Sequence, residues 1–491
     1  MSELIAEVDR TDQPACWITA KLSDVSEIKS GGTPSTTKKE YWNGEIAWVN
    51  SGKLKDDLIT EPSKFITKKG LENSAAKLFP KDTVVIALTG ATTSKVGYLT
   101  FPSTTNQSVT GILPNDYFIP RYVFYALISE REQILKQKIG TAQHHINQKI
   151  VENILIPFPP LNEQKRIVAK IEELFSLIDL AVGVLTKTRF VIKQYKSSLL
   201  KSAFSGELTI NFRKQNPNLN SNQLLDEINK NKKNQEKKLA KIPIPESKHG
   251  NHKIPSTWAW AYVGNICSIL QYGTSEKANS DSSGIPVLRM GNILDGELIF
   301  EKLKYYPKNW DAKNDFLLEA GDVLFNRTNS AELVGKTAVF RDAFPDSVFA
   351  SYLIRVKVFS QIILPTILSH YVNSPFGRMF IRSVVSQQVG QANVNGTKFS
   401  MMPIPLIPFD EQKILLDAIE MSFSVSNKIS NELGEKLEYL NKLKQTILKQ
   451  AFEGKLVPQD PNDEPAEILL QKIKQEKQKI ISQSTKPRKK K

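Results

Sequence analysis

The amino-acid sequence predicts an α+β protein built as a pseudo-two-fold tandem repeat, with two mixed α/β domains separated by a pair of long antiparallel coiled-coil helices. Three observations lead to this prediction. The stretch 163–206 recurs as 411–454 at one offset, since 411 − 163 = 454 − 206 = 248. Apolar residues recur in heptads through both stretches, which is typical of a coiled-coil seam. The segment before each stretch also repeats, at an offset of 255 − 14 = 241.

Each long stretch has the start and stop signals of a helix. Pro160 cannot lie inside a helix, and Asn162 after it is predicted as the N-cap. Gly206 stands where a residue in the left-handed conformation ends a helix. The equivalents in the second copy are Pro408, Asp410 and Gly454. The sequence therefore predicts two helices of about 42 residues, far longer than a helix inside one globular core.

The heptads predict one seam on each helix. In the first helix the seam positions are Ile167, Ile171, Leu174, Ile178, Ala181, Leu185, Thr188, Ile192, Tyr195 and Leu199. In the second helix they are Leu415, Ile419, Ser422, Ser426, Ile429, Leu433, Lys436, Leu440, Leu443 and Ile447, with polar residues at three positions. The simplest construction pairs the two helices with each other. The alternative buries each helix in a separate globular core.

Composition narrows the class of protein. Basic residues outnumber acidic ones by 66 − 51 = 15, which indicates a polyanionic partner, with nucleic acid ahead of a membrane. A lysine-rich solvated surface is the alternative. Two cysteines, Cys16 and Cys267, cannot form a disulfide framework or a zinc cluster. We find no signal peptide and no apolar run of membrane-spanning length, and therefore expect a cytoplasmic protein that does not contact a membrane.

The segment before the first long helix mixes short strands, turns and one helix. Alternating apolar residues bounded by Gly, Ser and Thr predict strands at 46–49, 84–88, 97–101 and 108–113. An amphipathic pattern that begins with a proline predicts a helix over 120–138.

The same pattern begins again after a Lys- and Asn-rich linker. Pro14, Trp17 and Gly32 match Pro255, Trp258 and Gly273, and a short helix marked by Leu224 and Ile228 is echoed by Leu469 and Ile473. The predicted segments are 1–161 (first α/β domain), 162–206 (first long helix), 207–254 (short helix and linker), 255–409 (second α/β domain), 410–454 (second long helix) and 455–491 (short helix and basic tail).

Motifs for catalysis are weak. The stretch 330–337 ends like a phosphate-binding loop, but Ser330 replaces its first glycine. Phe158-Pro159-Pro160-Leu161 lacks the asparagine of an amino-methyltransferase site and has no glycine-rich cofactor loop beside it. His144 and His145 are adjacent and cannot ligate one metal from a single helix face. We therefore predict no catalytic residue and no metal site, and interpret the chain as a binding protein.

Polar loops recur at equivalent places in the two halves. One pair of loops follows the same predicted strand in each half, and another pair precedes each long helix. Amide side chains can read adenine, arginine can read guanine, and lysine and threonine suit phosphates. The DNA-binding candidates are Asn50, Lys53, Thr92, Thr93, Ser94, Lys95, His144, Asn147, Gln148, Lys149, Arg289, Asn292, Arg327, Thr328, Asn329, Gln388, Gln391, Asn393, Asn395 and Lys398.

Taken together, the motifs resemble the specificity subunits of type I restriction–modification systems. The resemblance rests on the doubled openings Pro-Leu-Asn-Glu-Gln-Lys and Pro-Phe-Asp-Glu-Gln-Lys, and on the doubled closings Ala-Phe-Ser-Gly and Ala-Phe-Glu-Gly. It includes the stretch Asp460 to Ala466 and the Gly-Gly-Thr-Pro at 31–34, and it covers nearly the whole chain. Gly273-Thr274-Ser275 departs from it by lacking the proline of the first copy.

The resemblance implies two target-recognition domains, each reading one half of a split site in double-stranded DNA. It also implies that the long helices bind two modification subunits, which carry S-adenosylmethionine, and that restriction subunits with ATP and Mg²⁺ join them. No cofactor is expected in this chain. The predicted partner-docking residues are Glu163, Gln164, Val168, Phe175, Val182, Glu411 and Gln412.

Three other interpretations stay open at the level of sequence. The partner could be a methyltransferase alone, without a restriction subunit. The chain could be a single-chain DNA-modifying enzyme with an unrecognised site, which predicts methyl transfer or cleavage by the purified chain. It could also be a coiled-coil scaffold without a DNA role, which predicts no sequence-specific binding to duplex DNA.

Overall fold

A computed structural model describes residues 14–136, 145–245, 252–388 and 391–484. Its contacts divide the chain into two compact units. The first unit combines Met1–Leu185 with Glu435–Lys491, and the second is Thr186–Gly434. Each unit therefore takes one α/β domain together with one half of each long helix. This division differs from the predicted linear segments because each long helix contributes to both units.

The first α/β domain contains short strands and helices. Its strands are β1 (Ile18–Lys21), β2 (Ile28–Ser30), β3 (Trp42–Val49), β4 (Asp57–Ile59), β5 (Lys64–Ile66), β6 (Val84–Ala87), β7 (Val96–Leu99), β8 (Thr104–Thr105), β9 (Val109–Ile112) and β10 (Leu155–Phe158). Its helices are α1 (Leu22–Val25), α2 (Lys68–Glu72), α3 (Pro120–Ser129), α4 (Arg131–Lys136) and α5 (Gln148–Glu152). The four predicted strands correspond to β3, β6, β7 and β9. The helix predicted over 120–138 is divided into α3 and α4.

The first long helix is followed by three short ones. They are α6 (Leu161–Phe204), α7 (Ile210–Gln215), α8 (Asn222–Asn231) and α9 (Lys237–Ala240). The apolar positions Leu224 and Ile228 of α8 are buried, as their helical spacing predicts.

The second α/β domain repeats the mixture of short elements. Its strands are β11 (Ala259–Tyr262), β12 (Cys267–Tyr272), β13 (Ile285–Leu288), β14 (Ile293–Leu294), β15 (Glu297–Leu298), β16 (Lys304–Tyr306), β17 (Val323–Asn326), β18 (Thr328–Asn329), β19 (Thr337–Val339), β20 (Val348–Phe349), β21 (Leu353–Val358), β22 (Ser386–Gln388), β23 (Gln391–Asn393) and β24 (Pro403–Leu406). Its helices are α10 (Lys313–Phe316), α11 (Pro365–Asn373), α12 (Pro375–Val384) and α13 (Gly396–Ser400), and the chain continues with α14 (Phe409–Phe452) and α15 (Ala466–Ser484).

The sheets of the two domains follow one plan. The order β2–β9–β6–β7–β4 in the first domain corresponds to β12–β21–β17–β19 in the second, and β5–β3–β8 corresponds to β16–β13–β20. The antiparallel pair β1–β10 corresponds to β11–β24, with Ile18 opposite Phe158 and Ala259 opposite Leu406. The repeat seen in the sequence is therefore a repeat of strand order and register.

The long helices end as predicted but begin earlier than predicted. Glu207 N donates to Ser202 O at 2.9 Å, and Lys455 N donates to Gln450 O at 2.8 Å. Both bonds belong to a Schellman motif whose left-handed residue is Gly206 (φ 81°) or Gly454 (φ 72°).

At the other end of α6, Gln164 N donates to Pro160 O at 2.9 Å. Asn162 therefore lies in the first turn, and Asp410 lies in the first turn of α14. The prediction that these two residues are N-caps is wrong, because the proline carbonyl already accepts the first helical bond.

The two halves of the helix pair run antiparallel within each unit. In the first unit, Lys444 Nζ lies 2.6 Å from Asp179 Oδ1 and 5.0 Å from the ring centroid of Phe175. In the second unit, Lys196 Nζ donates to Asn427 Oδ1 and lies 5.2 Å from the ring centroid of Phe423. The three residues of one unit map onto those of the other at the offset of 248.

The predicted seam is buried or half-buried at most positions, including Ser426 and Leu433 near the middle of α14, and it fails at three. Ile167, Ile171 and Leu415 are fully buried, while Tyr195 and Ile429 are exposed and Lys436 lies on the surface. A straight α-helix has 3.6 residues per turn, so a seam read at 3.5 drifts by about 20° per heptad. The contact line shifts accordingly to neighbours such as Lys196 and Leu437.

Each unit has its own apolar core, to which the ends of both long helices contribute. Phe452 packs against Tyr122 in the first unit, and Phe204 packs against Tyr371 in the second, with ring centroids 5.2 and 5.1 Å apart. The two sequence alternatives therefore both describe part of the molecule, because the helices pair with each other and also enter a core. Among the described helices, none combines the length and the apolar character that a membrane span requires.

Short helices after each long helix close the units in equivalent ways. Gln235 Nε2 donates to the carbonyls of Gly264, Asn265 and Cys267 at 2.9–3.1 Å. In the first unit the carbonyls of Ser23, Asp24 and Ser26 accept from one atom, Nζ of Lys477 on α15. The residue numbers of the accepting carbonyls differ by 241 between the two units. The same cluster of carbonyls therefore accepts from a glutamine in the second unit and from a lysine in the first. Burial lowers the pKa of Lys477.

We expect Glu411→Ala to destabilise the second unit by roughly 3 kcal/mol, because it removes one partner of a buried ion pair. Glu411 Oε1 accepts from Arg213 and Thr209 at 2.6 Å, and Oε2 accepts from Trp258 Nε1 at 2.9 Å. Urea denaturation of the full chain, followed by tryptophan fluorescence, measures the effect.

The matched control is Glu163→Ala in the first unit. Glu163 Oε1 accepts from Gln459 at 3.0 Å, and no arginine is among the partners found for this carboxylate in the described residues. We expect a smaller loss of stability. Equal losses for the two variants would contradict the assignment of the difference to the Arg213–Glu411 pair.

Candidate DNA interface

The structure brings together the two polar loops that the sequence singles out in each domain. In the first domain, Ile146 N donates to Leu88 O at 2.9 Å. In the second domain, Val394 N donates to Arg327 O at 2.9 Å. We call residues 88–95 loop 1 and residues 327–336 loop 2. Each loop therefore lies beside the segment that leads into the long helix.

Equivalent backbone bonds close the base of the two loops. Ala87 N donates to Lys95 O at 2.9 Å, and Asn326 N donates to Lys336 O at 2.8 Å. The turn at the end of each loop has one left-handed residue, Ser94 (φ 66°) or Gly335 (φ 83°). Ser94 and Gly335 therefore occupy equivalent positions, one residue before the Lys95 and Lys336 carbonyls that close the loops.

A small three-stranded sheet unites most of the candidates in the second domain. Its strand order is β18–β23–β22, with Thr328 opposite Asn393 and Gln388 opposite Gln391. Asn393 Nδ2 also donates to Thr328 Oγ1 at 2.7 Å. Candidates separated by about sixty residues in the sequence therefore occupy neighbouring strands.

Arg327 is held without a carboxylate partner among the described residues. Its guanidinium carbon lies 4.8 Å from the ring centroid of Tyr272, and Nη1 donates to Ser351 O at 3.3 Å. The Nε atom is buried and has no hydrogen-bond partner in the structure. The backbone is fixed as well, since Arg327 N donates to Tyr352 O at 2.9 Å. A positive side chain is thus held in place with hydrogen-bonding capacity to spare.

A second arginine with the same property lies close by. Arg289 follows β13, and its Nε is also buried with no hydrogen-bond partner in the described part of the chain. Asn326 Nδ2 reaches Met290 O at 3.5 Å, which places this turn beside loop 2, while Asn326 Oδ1 is buried and unpaired. Tyr272, Met290 and Tyr352 expose between 37% and 41% of their surface. The patch combines guanidiniums that have no carboxylate partner among the described residues with partly exposed aromatic rings, a combination that suits nucleic acid.

Asn292 is a structural residue and not an exposed reader. Its Oδ1 accepts from Arg289 N at 3.0 Å, and its Nδ2 donates to Ile299 O and Glu301 O at 2.9 and 3.0 Å. It is 3% exposed, so the prediction that it binds DNA is corrected: its amide is used to hold a turn.

The charges of loop 1 are largely neutralised within the domain. Asp56 accepts from Lys95 Nζ at 2.7 Å and from Val96 N at 3.1 Å, and it also pairs with Arg131. Ser94 is fully buried. Thr92 and Thr93 are half-buried and lie on the loop, so they stay candidates for a DNA contact.

The remaining candidates of the first domain differ in availability. Asn147 is exposed, but its Oδ1 caps α5 by accepting from Ile150 N at 2.9 Å. Both ends of the Gln148 amide are bonded, to Ser30 and to Glu152. Lys149 is exposed. Of the other three candidates, Asn50 lies at a turn after β3, and Lys53 pairs with Glu61 at 2.6 Å. His144 lies outside the described residues.

The remaining DNA-binding candidates of the second domain also differ in exposure and in hydrogen bonding. Asn329 Oδ1 accepts from Ser330 N at 2.8 Å, and Asn395 caps α13 by accepting from Lys398 N at 2.8 Å. Lys398 Nζ donates to Val384 O and Ser386 Oγ, so it braces the small sheet. Gln391 is exposed, whereas the side chain of Gln388 lies outside the described part of the chain.

The predicted docking residues lie inside the units. Glu163, Gln164, Glu411 and Gln412 are at most 1% exposed, and Val168 is 8% exposed. Phe175 and Val182 pack against the core of the first unit. The five buried residues are engaged by their own unit and offer little surface to a partner, whereas Phe175 and Val182 are half-buried and stay predicted docking residues.

Other residues of the long helices are exposed and apolar. In the first unit Leu177, Leu180 and Val184 share one face of α6, with 57–68% of each exposed. In the second unit Met421, Val425 and Ile429 share one face of α14. Leu177 and Val425 differ by 248 and are therefore equivalent. We call the two sets helix patch 1 and helix patch 2.

Four residues of the site have no signal in the sequence. Tyr272 lies against Arg327, Asp56 neutralises loop 1, and the arginines Arg131 and Arg378 bond to the loops. Arg378 Nη1 and Nη2 donate to Val334 O and Glu332 O at 2.6 and 2.8 Å. Burial, with Arg382 as the second cause, lowers the pKa of Arg378. Their partners lie 37 or more residues away along the chain, so no local pattern marks them.

The described residues contain no group of three or more His, Cys, Asp or Glu side chains that could hold a metal ion. What the two domains do offer is loops with amides and hydroxyls, and the guanidiniums of Arg289 and Arg327, for which the described residues supply no carboxylate partner. These groups donate and accept hydrogen bonds in the way that readout of base edges and phosphates requires.

Comparison with known proteins agrees with the architecture. The chain is 25% identical over 491 residues to the type I restriction enzyme StySPI specificity subunit of Salmonella potsdam, covering 96% of this chain and 97% of that subunit. It is 24% identical over 491 residues to the EcoKI specificity subunit of Escherichia coli K12, covering 94% and 96% of the two chains.

A solved structure of a chain from a type I restriction–modification system shares the fold. Its TM-score is 0.65 at 18% identity, and the match covers 90% of this chain and 99% of that chain. The family model of the type I restriction modification DNA specificity domain matches twice, at residues 14–187 and 255–439. The two matches span each α/β domain together with the long-helix segment that follows it. The chain therefore belongs to the family of type I restriction modification DNA specificity domains, and it contains two copies of that domain.

Proposed function

We propose that this chain is the non-catalytic specificity subunit of a type I restriction–modification complex, and that each α/β domain reads one half of a bipartite DNA site. The observation that carries the proposal is the shared frame of the two domains with different side chains at its reading positions. Equivalent backbone bonds hold Leu88 in loop 1 and Arg327 in loop 2. A shared backbone arrangement with different side chains at the positions that face DNA suits two different half-sites.

In this proposal the surface that meets DNA is formed by the two loops and the segments beside them. In the second domain this surface comprises loop 2, the small sheet β18–β23–β22 and Arg289. In the first domain it comprises loop 1 and residues 145–149. The net charge of +15 supports binding to a polyanion, and the amide and guanidinium groups support sequence readout.

Methyl transfer would then belong to partner subunits. We propose that two modification subunits, which bring S-adenosylmethionine, bind the helix patches, one at each equivalent site. Restriction subunits, which bring ATP and Mg²⁺, would join the complex. The apolar exposure of both patches supports this arrangement, because exposed apolar surface of this kind marks sites of protein association. The complex would act in the cytoplasm, where its DNA lies.

The experiment that tests the function combines the chain with its modification subunit. We expect the purified chain alone to transfer no methyl group, and the complex to methylate one bipartite motif, as read by sequencing of modified DNA. Methyl transfer or cleavage by the chain alone would instead support a single-chain enzyme. A complex that binds no duplex DNA sequence-specifically would support a scaffold.

We expect Arg327→Ala to relax discrimination in the second half of the motif only. If the guanidinium contacts a base, the loss is about 1–3 kcal/mol of discrimination at one base pair. Competition binding with single-base variants of the site measures it. Arg382→Ala, an exposed arginine of the same domain, is the charge-matched control. Uniform weakening on all sequences with a smaller salt slope would show a phosphate contact instead.

We expect the pair of changes Leu177→Glu and Leu180→Glu to remove one of two modification subunits from the complex. The pair Met421→Glu and Val425→Glu in helix patch 2 should remove the other, because each pair puts charge into one patch. Co-purification followed by mass measurement of the complex gives the number of subunits.

Ser197→Glu on α6 and Asn431→Glu on α14 are the controls for docking, since both positions are exposed and polar. They add a carboxylate without changing a patch, so both subunits should stay bound. If the patch variants also keep both subunits, docking occurs elsewhere on the chain.

A further inference from the structure

The ends of the two reading loops are bonded to arginines that come from outside the loops. In the second domain Arg378 lies on α12 and donates from both Nη atoms to loop 2, to Val334 O at 2.6 Å and Glu332 O at 2.8 Å. In the first domain Arg131 begins α4 and donates to Ser94 O of loop 1 at 3.4 Å. Two domains with divergent middles thus place an arginine at the same turn.

The carbonyls that accept these bonds belong to the turn just before the strand that returns to the sheet. In loop 2 this turn includes the left-handed Gly335, and in loop 1 it includes the left-handed Ser94. Backbone carbonyls in such a turn lack a ladder partner, so a guanidinium can satisfy them. Arg378 bonds two of these carbonyls in loop 2, whereas Arg131 bonds the single carbonyl of Ser94 in loop 1. The arginine therefore sets the conformation of the end of the loop.

The two arginines are fixed by different surroundings. Arg131 also pairs with Asp56, which binds Lys95 of loop 1 as well. Arg378 has no carboxylate partner among the described residues, and it lies close to Ile381 and Gly335, where a Cβ added to the glycine would come within 3.0 Å of Arg378 Nη1. The bonds to loop carbonyls are common to both sites, and the acidic partner is not.

We propose that Arg131 and Arg378 are positioning residues for sequence discrimination, each confined to the half-site read by its own domain. The inference rests on the proposed function. Both Nη atoms of Arg378 are engaged by carbonyls, so its effect on DNA passes through the conformation of loop 2. Without the hydrogen bonds from Arg378, loop 2 can adopt several conformations. Side chains such as Arg327 and Asn329 then bind the correct and the incorrect base with more similar affinity.

The test uses the full chain in complex with its modification subunit. Rates of methylation are measured on the parent site and on sites with one base changed in the first or second half. For Arg378→Ala we expect discrimination in the second half to fall by roughly fivefold or more, the lower end of the value of one base contact. Discrimination in the first half stays unchanged. Arg131→Ala shows the reverse pattern.

Arg378→Lys and Arg382→Ala separate positioning from direct contact. A lysine supplies charge but not a two-carbonyl fork, so we expect Arg378→Lys to lose discrimination nearly as Arg378→Ala does. A phosphate contact predicts instead that lysine restores binding, and that the alanine variant weakens all sequences with a smaller salt slope. Arg382→Ala removes the same charge from an exposed position one turn along α12 and should leave discrimination intact.

A second change reaches the same turn without touching the arginine. Gly335→Ala adds a Cβ at φ 83° that would lie 2.5 Å from Ile381 Cδ1, so it displaces the end of loop 2. It should reproduce the loss in the second half if Arg378→Ala fails to fold, which thermal melting of the complex reveals.

The outcomes distinguish this inference from the function on which it rests. If the parent complex methylates no bipartite motif, the proposed function fails. If the parent does so but the arginine variants keep parental discrimination in both halves, or lose it equally in both, the positioning role is overturned while the function stands.

Discussion

A buried amide at the start of each long helix fixes how that helix leaves its α/β domain. Gln164 Oε1 accepts from Ile119 N at 2.9 Å while its Nε2 donates to Pro159 O at 3.0 Å. Gln412 does the same with Leu364 N and Ile407 O, both at 2.9 Å. One side chain thus joins the long helix to two other segments of its domain. They are the residue before α3 or α11 and the residue that follows β10 or β24. Because these backbone groups are buried, leaving them unpaired would cost about 1–3 kcal/mol each.

Because these glutamines attach each long helix to backbone groups of its domain, side chains elsewhere in the domain can differ between the two copies. In both domains the strand order and the bonds at the base of the loop are kept, while the residue carried at the same point is Leu88 in one and Arg327 in the other. Backbone hydrogen bonds do not depend on the side chain, so the frame tolerates different readers. A specificity subunit needs such a division, because its two domains must present different chemistry from one scaffold.

Charge is distributed differently in the two domains. In the first, Asp56 pairs with both Lys95 and Arg131 close to loop 1. In the second, Arg327 lies beside the ring of Tyr272, and neither Arg327 nor Arg289 has a carboxylate partner among the described residues. A guanidinium that has no internal partner keeps its capacity for a ligand, while a paired one mainly holds structure. We therefore expect the second domain to depend more on arginine for readout, and the first more on hydroxyl and amide groups.

The sequence by itself determined the repeat, the length of the helices, their Schellman ends and the position of most strands, because these follow from local spacing, glycine at a left-handed position and apolar periodicity. It also located the loops of the candidate site. Only the tertiary structure decided which candidates are available: Asn292, Gln148 and Lys398 are used internally. The repeated pairs Glu163–Gln164 and Glu411–Gln412 are buried at the starts of the long helices. The tertiary structure also revealed Arg131, Arg378 and Tyr272, whose partners are distant in sequence. Local patterns report what a segment can form, whereas hydrogen-bond partners and exposure depend on residues that meet only after the chain has folded.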